Sequence, residues 1–407
     1  MFSLYTSCSI GIPALLMNKL ALVILGTGIL VRVFLWSILT DPAITYLTTR
    51  IEVLSPITTF PRLVEGKFLL DQGIDPYVSG YFKLNPITAS LVFPILDRTG
   101  LLFWTMVACN TFSASLLISA VGTQYAAIAA ITFFLNPYTI VSELGLSVES
   151  VDILFVSLFV WAGTRSKLGF ASLALSLLLL AKPISPLAVI PALALVTNRT
   201  VLVVILSVLA ACSTTVAVCY MVAGQSMSFF TTALKSLIFI SPDLEPTMGY
   251  AWNLFSLMFE DSVWFFRGFV FCHLFLLAVP MYWRFRKMLA QDGDRNRVAR
   301  FFVLMVAAIL LYQPYPTGIQ YSTVQTLLVA CSPRFHDKMS RIMSSGFIFG
   351  QLFASAVAPL WLERNTGNSN VVIYLGIVST FIGMLAIGQS LRATRLAGYT
   401  LRTKKVQ

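Results

Sequence analysis

Apolar runs recur along nearly the whole chain, and the polar residues are confined to short signatures between them. The runs 20–39, 201–222 and 371–391 reach the length that crosses about 30 Å of hydrocarbon as a helix. Shorter runs would cross by tilting, by burial against neighbouring helices or by thinning the bilayer. With 57% hydrophobic and only 11% charged residues, the chain has too little polar surface to cover a water-soluble body of this size. The expectation is an all-α polytopic membrane protein of about twelve transmembrane helices, near 17–39, 100–122, 124–140, 151–163, 168–182, 186–197, 201–222, 262–283, 300–313, 317–331, 343–361 and 371–391.

Orientation follows from the basic residues, because cytoplasmic loops carry an excess of Lys and Arg. With a cytosolic N-terminus, the inside loops hold Arg165, Lys167, Arg199, the run from Arg284 to Arg300, Arg334, Lys338 and Arg341. The basic tail 392–407 adds Arg392, Arg395, Arg402, Lys404 and Lys405. Of 28 basic residues, 18 fall inside, 8 outside and two, Arg32 and Arg267, within hydrocarbon. The net charge of +11 is then accounted for by topology and anionic inner-leaflet lipid, and no nucleic-acid partner is implied. Met1 to Leu16 lacks a basic start and a small-residue cleavage site, so the first run is expected to stay as a signal anchor.

The domain organisation expected is one integral membrane unit, 1–407. The segment 40–99 forms a large luminal loop with interfacial helices and a re-entrant or half-membrane helix at 87–96, and 223–261 forms a second luminal amphipathic segment. Six cysteines sit in or beside apolar runs without CxxC spacing and read as small hydrophobes. Two histidines are too few for a His-built metal site, and neither a metal nor a cofactor is expected. The sequon Asn198-Arg199-Thr200 lies in a loop assigned to the cytosol and is expected to stay unglycosylated.

Functional signal concentrates in luminal segments where Pro and Gly stand beside amides and hydroxyls: SPITTFPRLVEG at 55–66, SPDLEPTMGYAWNLFSLMF at 241–259, QPYPTG at 313–318 and TGNSN at 366–370. Irregular backbone at membrane depth is tolerated only where protein or a wet cavity satisfies it, so these segments imply a hollow facing the lumen. Asp71 and Asp75, with Glu65 nearby, could hold a divalent metal or act as base in a lipid-linked sugar transferase; the plainer reading is a charged turn before Pro76. A secondary transporter is disfavoured, because Arg32, Glu143 and Arg267 look too scattered to pair.

Arg50-Ile51-Glu52-Val53 through SPITTFPRLVEG to LLDQGIDPY resembles the first luminal loop of the PIG-U family, a subunit of the glycosylphosphatidylinositol (GPI) transamidase. The likeness continues through LNPYT at 135–139, PDLEPTMGYAWNLFSLMF at 242–259, YQPYPTG at 312–318 and APLWLERNTGNSN at 358–370. The chain departs from the family's T-x-G-D at Thr317-Gly318-Ile319-Gln320, and from its aromatic pair after N-S-N at Val371-Val372. The resemblance implies a fold like that of GT-C mannosyltransferases without the paired carboxylates, since Thr49 to Val53 keeps one acid, Glu52, beside Arg50.

What the resemblance further implies is a non-catalytic subunit in the endoplasmic reticulum membrane, with both termini cytosolic. Its partners would be a caspase-like catalytic subunit and the other transamidase subunits, the GPI glycolipid and membrane lipids. The expected lipid-binding residues are Trp361, Gly367, Asn368, Ser369 and Asn370 with Tyr315, Pro316, Thr317 and Gly318. Glu52, Ser55, Pro56, Glu65, Gly66, Pro76, Tyr77, Pro246, Gly249 and Trp252 form the expected luminal structural motif, with no catalytic residue among them. An active GT-C mannosyltransferase using dolichol-phosphate-mannose through Glu52, Asp71 or Asp75 is the alternative.

Overall fold

The computed structural model describes residues 14–55, 57–79, 82–121, 125–181, 185–222, 247–248, 278–280, 282–283, 286, 295–313, 315–331, 338–366 and 369–406. Regular structure among them is helical throughout. In chain order come α1 (Ala14–Ile38), α2 (Asp41–Thr48), α3 (Phe60–Asp71), α4 (Pro86–Val92), α5 (Thr99–Val121), α6 (Ala126–Phe134), α7 (Pro137–Leu144) and α8 (Glu149–Thr164). They are followed by α9 (Leu168–Ala181), α10 (Ile190–Thr197), α11 (Val201–Val222), α12 (Arg295–Leu311), α13 (Gly318–Cys331), α14 (Lys338–Leu362) and α15 (Ser369–Val406).

Local chemistry sets many of the boundaries. Proline stands in the first turn of α2, α3, α4 and α7, where its missing N–H costs no helical bond. Asn85 caps α4 by accepting from Thr88 N at 2.8 Å, and Asn136 caps α7 by accepting from Tyr138 N at 3.1 Å. Asn198 ends α10 in the left-handed conformation, at φ 54°.

Among the described residues, five helical segments are long and apolar enough to cross a membrane: Asn18–Ile38, Thr99–Ala120, Val201–Val222, Ser345–Leu362 and Tyr374–Arg392. The run expected as one crossing at 124–140 is instead broken between α6 and α7, which are bent by 44°; counted together they make a sixth. Proline at 137 and the Asn136 cap supply the physical reason, since one lacks an N–H and the other offers the next turn a competing acceptor. The expected crossings at 151–163, 300–313 and 317–331 correspond to α8, α12 and α13, which fall outside that length-and-composition class. The expected crossing at 262–283 lies almost wholly outside the described residues.

α13 is the axis of the bundle. Every residue of it but Ala330 is buried, and it packs against α6, α7, α8, α12 and α15. Its polar side chains form a seam to the helices around it. Thr326 meets Thr132 at 3.1 Å, Gln325 accepts from Asn136 at 2.8 Å, Ser322 meets Thr139 at 2.9 Å, and Gln320 donates to Glu149. These pairings let a helix this polar sit in the interior, where unpaired polar groups are costly.

Arg32 and Glu143 overturn the reading of scattered intramembrane charges. The guanidinium Nε lies 2.5 Å from Glu143 Oε2, with both side chains fully buried. Arg32 also donates to the carbonyl of Phe134 at 2.8 Å, at the end of α6, and Asn110 donates to Glu143 at 2.8 Å. One buried arginine thus neutralises the acid on α7 and satisfies a carbonyl at the α6–α7 break.

Segment 40–99 is tied into the bundle rather than merely lying on it. Leu63, Tyr77, Phe82, Leu84, Ala89 and Val92 form one buried cluster with Leu102, Phe103 and Met106 of α5 and with Leu144, Leu146 and Val148. Gly66 is required there, because a Cβ would strike the ring of Phe82. Large apolar side chains on the outer faces, such as Leu30, Leu206, Phe349 and Phe381, are exposed as lipid-facing residues would be.

Candidate functional site

The turn after α2 carries an arginine that bonds to three other residues, Tyr46, Glu52 and Ser355. Arg50 forks onto Glu52, with Nε to Oε2 at 3.2 Å and Nη2 to Oε1 at 2.7 Å. Its Nη1 donates to the hydroxyl of Tyr46 at 3.0 Å, which donates in turn to Glu363 Oε1 at 2.8 Å. Nη2 also donates to the carbonyl of Ser355 at 2.9 Å.

That last bond has a cause in α14. Pro359 lies inside the helix and has no N–H, so the carbonyl four residues earlier loses its helical donor. Arg50 supplies the missing hydrogen. Burial opposes the charge on Arg50, but the hydrogen bond and charge of Glu52 outweigh it and raise the guanidinium above its ordinary value.

Glu52 works through its backbone as well, since its carbonyl accepts from Gly318 N at 2.7 Å. Gly318 in turn lies flat against Tyr138, so that a Cβ would stand 2.7 Å from Tyr138 Cδ1. The Tyr138 hydroxyl meets Ser355 Oγ at 3.2 Å. The 313–318 motif, the 49–54 turn, α7 and α14 therefore converge on one place. Beside it lies a cavity of about 350 Å³ lined by Thr49, Arg50, Ile51, Leu54, Ala358, Pro359, Leu362 and Glu363.

Several expected site residues fall in or beside this cluster. Tyr315, Pro316, Thr317 and Gly318 are buried, and Trp361, half-buried next to the cavity-lining Leu362, packs on the bundle core. Gly367 and Asn368, and the side chains of Ser369 and Asn370, lie outside the described residues, as do Pro56, Pro246, Gly249 and Trp252. Ser55 is buried, with its Oγ 3.4 Å from Ile57 N.

The remaining motif residues serve the loop itself. Glu65 pairs with Arg62 at 3.8 Å, and Asp75 accepts from Tyr77 N at 3.0 Å across the buried Pro76. Asp75 thus does what the plainer reading of a charged turn requires. Burial pushes the Tyr77 phenol up, with the charge of Asp75 adding to it, and the hydroxyl donates to Leu84 O at 2.9 Å. Asp71 is exposed at the end of α3.

The profile of the family described as "GPI transamidase subunit PIG-U" matches residues 26–377. The chain belongs to the PIG-U family. It is 23% identical over 383 residues to the GPI-anchor transamidase component PIGU of Mus musculus, covering 83% of this chain and 85% of that protein. The protein of that name from Homo sapiens is 22% identical over 385 residues, with 83% and 85% covered. The GPI transamidase component GAB1 homolog of Schizosaccharomyces pombe is 22% identical over 374 residues, with 85% and 86% covered. The PIG-U match takes in the Arg50 turn and the end of α14, which line the cavity, together with α7 and α13 beside them.

Tyr46 and Ser355 lay outside every stretch that the sequence marked, whereas Tyr138 stands in LNPYT and Pro359 and Glu363 in APLWLERNTGNSN; nothing local to any of them names Arg50 as a partner.

Proposed function

We propose that this chain is a non-catalytic membrane subunit of the GPI transamidase that scaffolds the complex and positions the GPI lipid for attachment to protein C-termini. The observation that carries the reading is the family match across 26–377. The geometry supports it, because Glu52, the acid left where the resembling mannosyltransferases carry a pair, is occupied by the Arg50 fork. A carboxylate held in a bidentate pair is poorly placed to act as base or metal ligand.

In this reading the protein is a multi-pass endoplasmic reticulum protein of about twelve crossings with a GT-C-like arrangement and cytosolic termini. Its partners are a caspase-like catalytic subunit and the other transamidase subunits. The lipid headgroup meets Tyr315, Pro316, Thr317 and Gly318 together with Trp361 and the 367–370 stretch, whose amides and hydroxyls suit phosphate and sugar. Copurification with tagged transamidase subunits tests membership, and recovery of the chain alone would overturn it. The double variant Asn368→Ala/Asn370→Ala tests lipid positioning: a GPI-anchored reporter should fall at the cell surface while the complex still assembles. Unchanged reporter would remove the lipid role.

A further inference from the structure

The cavity between the 49–54 turn and the end of α14 has an uneven charge that its size and apolar floor make meaningful. Among the described residues Arg50 is the one cation lining it, while Glu52 and Glu363 contribute two carboxylates to the same hydrogen-bonded cluster. Arg364 is exposed and does not line the cavity. The cluster therefore carries one carboxylate in excess. A simple anion would meet two like charges, and a simple cation would meet Arg50.

The spare hydrogen-bonding capacity is of both kinds. Of its five N–H groups, the Arg50 guanidinium spends one on Tyr46, two on Glu52 and one on Ser355, which leaves one on Nη1. Glu363 accepts from Tyr46 on Oε1, and its Oε2 has no bond among the described residues. The two charges are bridged by a single hydroxyl, a gap that a two-carbon linker can span. Ile51, Leu54, Ala358, Pro359 and Leu362 supply an apolar floor. A volume of about 350 Å³ is within the usual range of ligand sites, roughly 300–1,000 Å³.

We propose that this cavity binds a phosphoethanolamine headgroup, with its phosphate on Arg50, its ammonium on Glu363 and the adjoining lipid carbons on the apolar floor. The chemistry is shared by phosphatidylethanolamine of the bilayer and by any glycolipid bearing that group. The inference rests on the reading of the chain as a lipid-positioning subunit and names a ligand class for it. A choline headgroup fits worse because its ammonium has no N–H for Glu363, and a glycerol headgroup leaves the excess carboxylate unanswered.

The test uses the intact transamidase complex in lipid nanodiscs and a diazirine-bearing phosphatidylethanolamine. Labelling should map to 358–363 and be competed by phosphatidylethanolamine, but not by phosphatidylcholine or phosphatidylglycerol. Glu363→Gln, at an exposed position, should lower labelling about tenfold, the size of one lost charged hydrogen bond. Ala358→Leu should lower it by filling the floor while leaving the charges in place. Stronger competition by the diacyl lipid than by chain-free glycerophosphoethanolamine assigns the site to the bilayer lipid; equal competition assigns it to a headgroup carried elsewhere. Competition by all three phospholipids alike, or unchanged labelling in Glu363→Gln, overturns the proposal. If labelling fails while the complex copurifies and anchors its reporter, this inference falls and the proposed function stands.

Discussion

Arg50 donates to the main-chain carbonyl of Ser355, 305 positions away, at 2.9 Å. The bond exists because Pro359 withholds the helical donor, and it fastens the turn after α2 to the middle of α14. A helix defect and a loop arginine thus satisfy each other, and the cavity forms beside their junction.

The coupling is measurable. Arg50→Lys should destabilise the protein, since a lysine cannot keep the fork on Glu52 and reach Ser355 as well. In a Pro359→Ala background the Ser355 carbonyl regains its helical N–H, so the cost of Arg50→Lys should shrink by about 0.5–1.5 kcal/mol. Thermal unfolding of the four proteins in detergent gives the cycle. Strictly additive costs would mean that the Ser355 bond contributes nothing.

A second prediction concerns Arg32 and Glu143, sealed at 2.5 Å between α1 and α7. Removing one partner strands a buried charge, so Glu143→Gln and Arg32→Met should each cost about 3–5 kcal/mol. Arg32→Met with Glu143→Leu should recover much of the loss in stability. It should not recover all, because the Phe134 carbonyl at the helix break loses its donor. Folded yield and melting temperature decide the matter, and a double variant worse than both singles would refute the compensation.

How far the chain could be read from its sequence depends on the range of each signal. The apolar runs at 20–39 and 201–222 anticipate α1 and α11 because hydropathy is local to a segment. The 313–318 signature marked an element that the fold buries and joins to the 49–54 turn, through Gly318 N on Glu52 O. Arg32 and Glu143 were legible only as isolated charges, since their mutual neutralisation is a contact across 111 positions that no window contains. The polar seam of α13 was hidden for the same reason: Gln320, Ser322, Gln325 and Thr326 look like breaks in an apolar run until their partners on α6, α7 and α8 are in place. Arg50 stood in a recognised stretch, yet its bond to Ser355 needed the position of Pro359 in three dimensions.

Gly318 yields a third prediction. Its N–H bonds Glu52 O at 2.7 Å while its Cα faces the ring of Tyr138, so a methyl there must push either the ring or the motif away. Gly318→Ala should cost about 1–3 kcal/mol by overpacking. Combining it with Tyr138→Leu should relieve part of that cost, because the contacting ring atoms are gone. Melting temperatures of the purified variants test this, and an unperturbed Gly318→Ala would show that the close approach is not a constraint.

The fourth prediction fixes the sides of the membrane. Asn198 is exposed at the end of α10, so access alone would not spare the sequon it begins. In the orientation proposed from the basic residues Arg165, Lys167 and Arg199, this face lies in the cytosol, where glycan transfer does not occur, and the sequon should stay unmodified. The opposite face offers a matched control. Gln72, Gly73 and Ile74 are exposed after α3, and Gln72→Asn with Ile74→Thr creates a sequon in the segment 40–99, on the side assigned to the lumen. Glycosidase treatment should leave the natural chain's mobility unchanged and should sharpen the Gln72→Asn/Ile74→Thr variant to a faster band. A glycan on Asn198, with none on the engineered site, would invert the topology and move the Arg50 cavity to the cytosolic side, away from the compartment its proposed function requires.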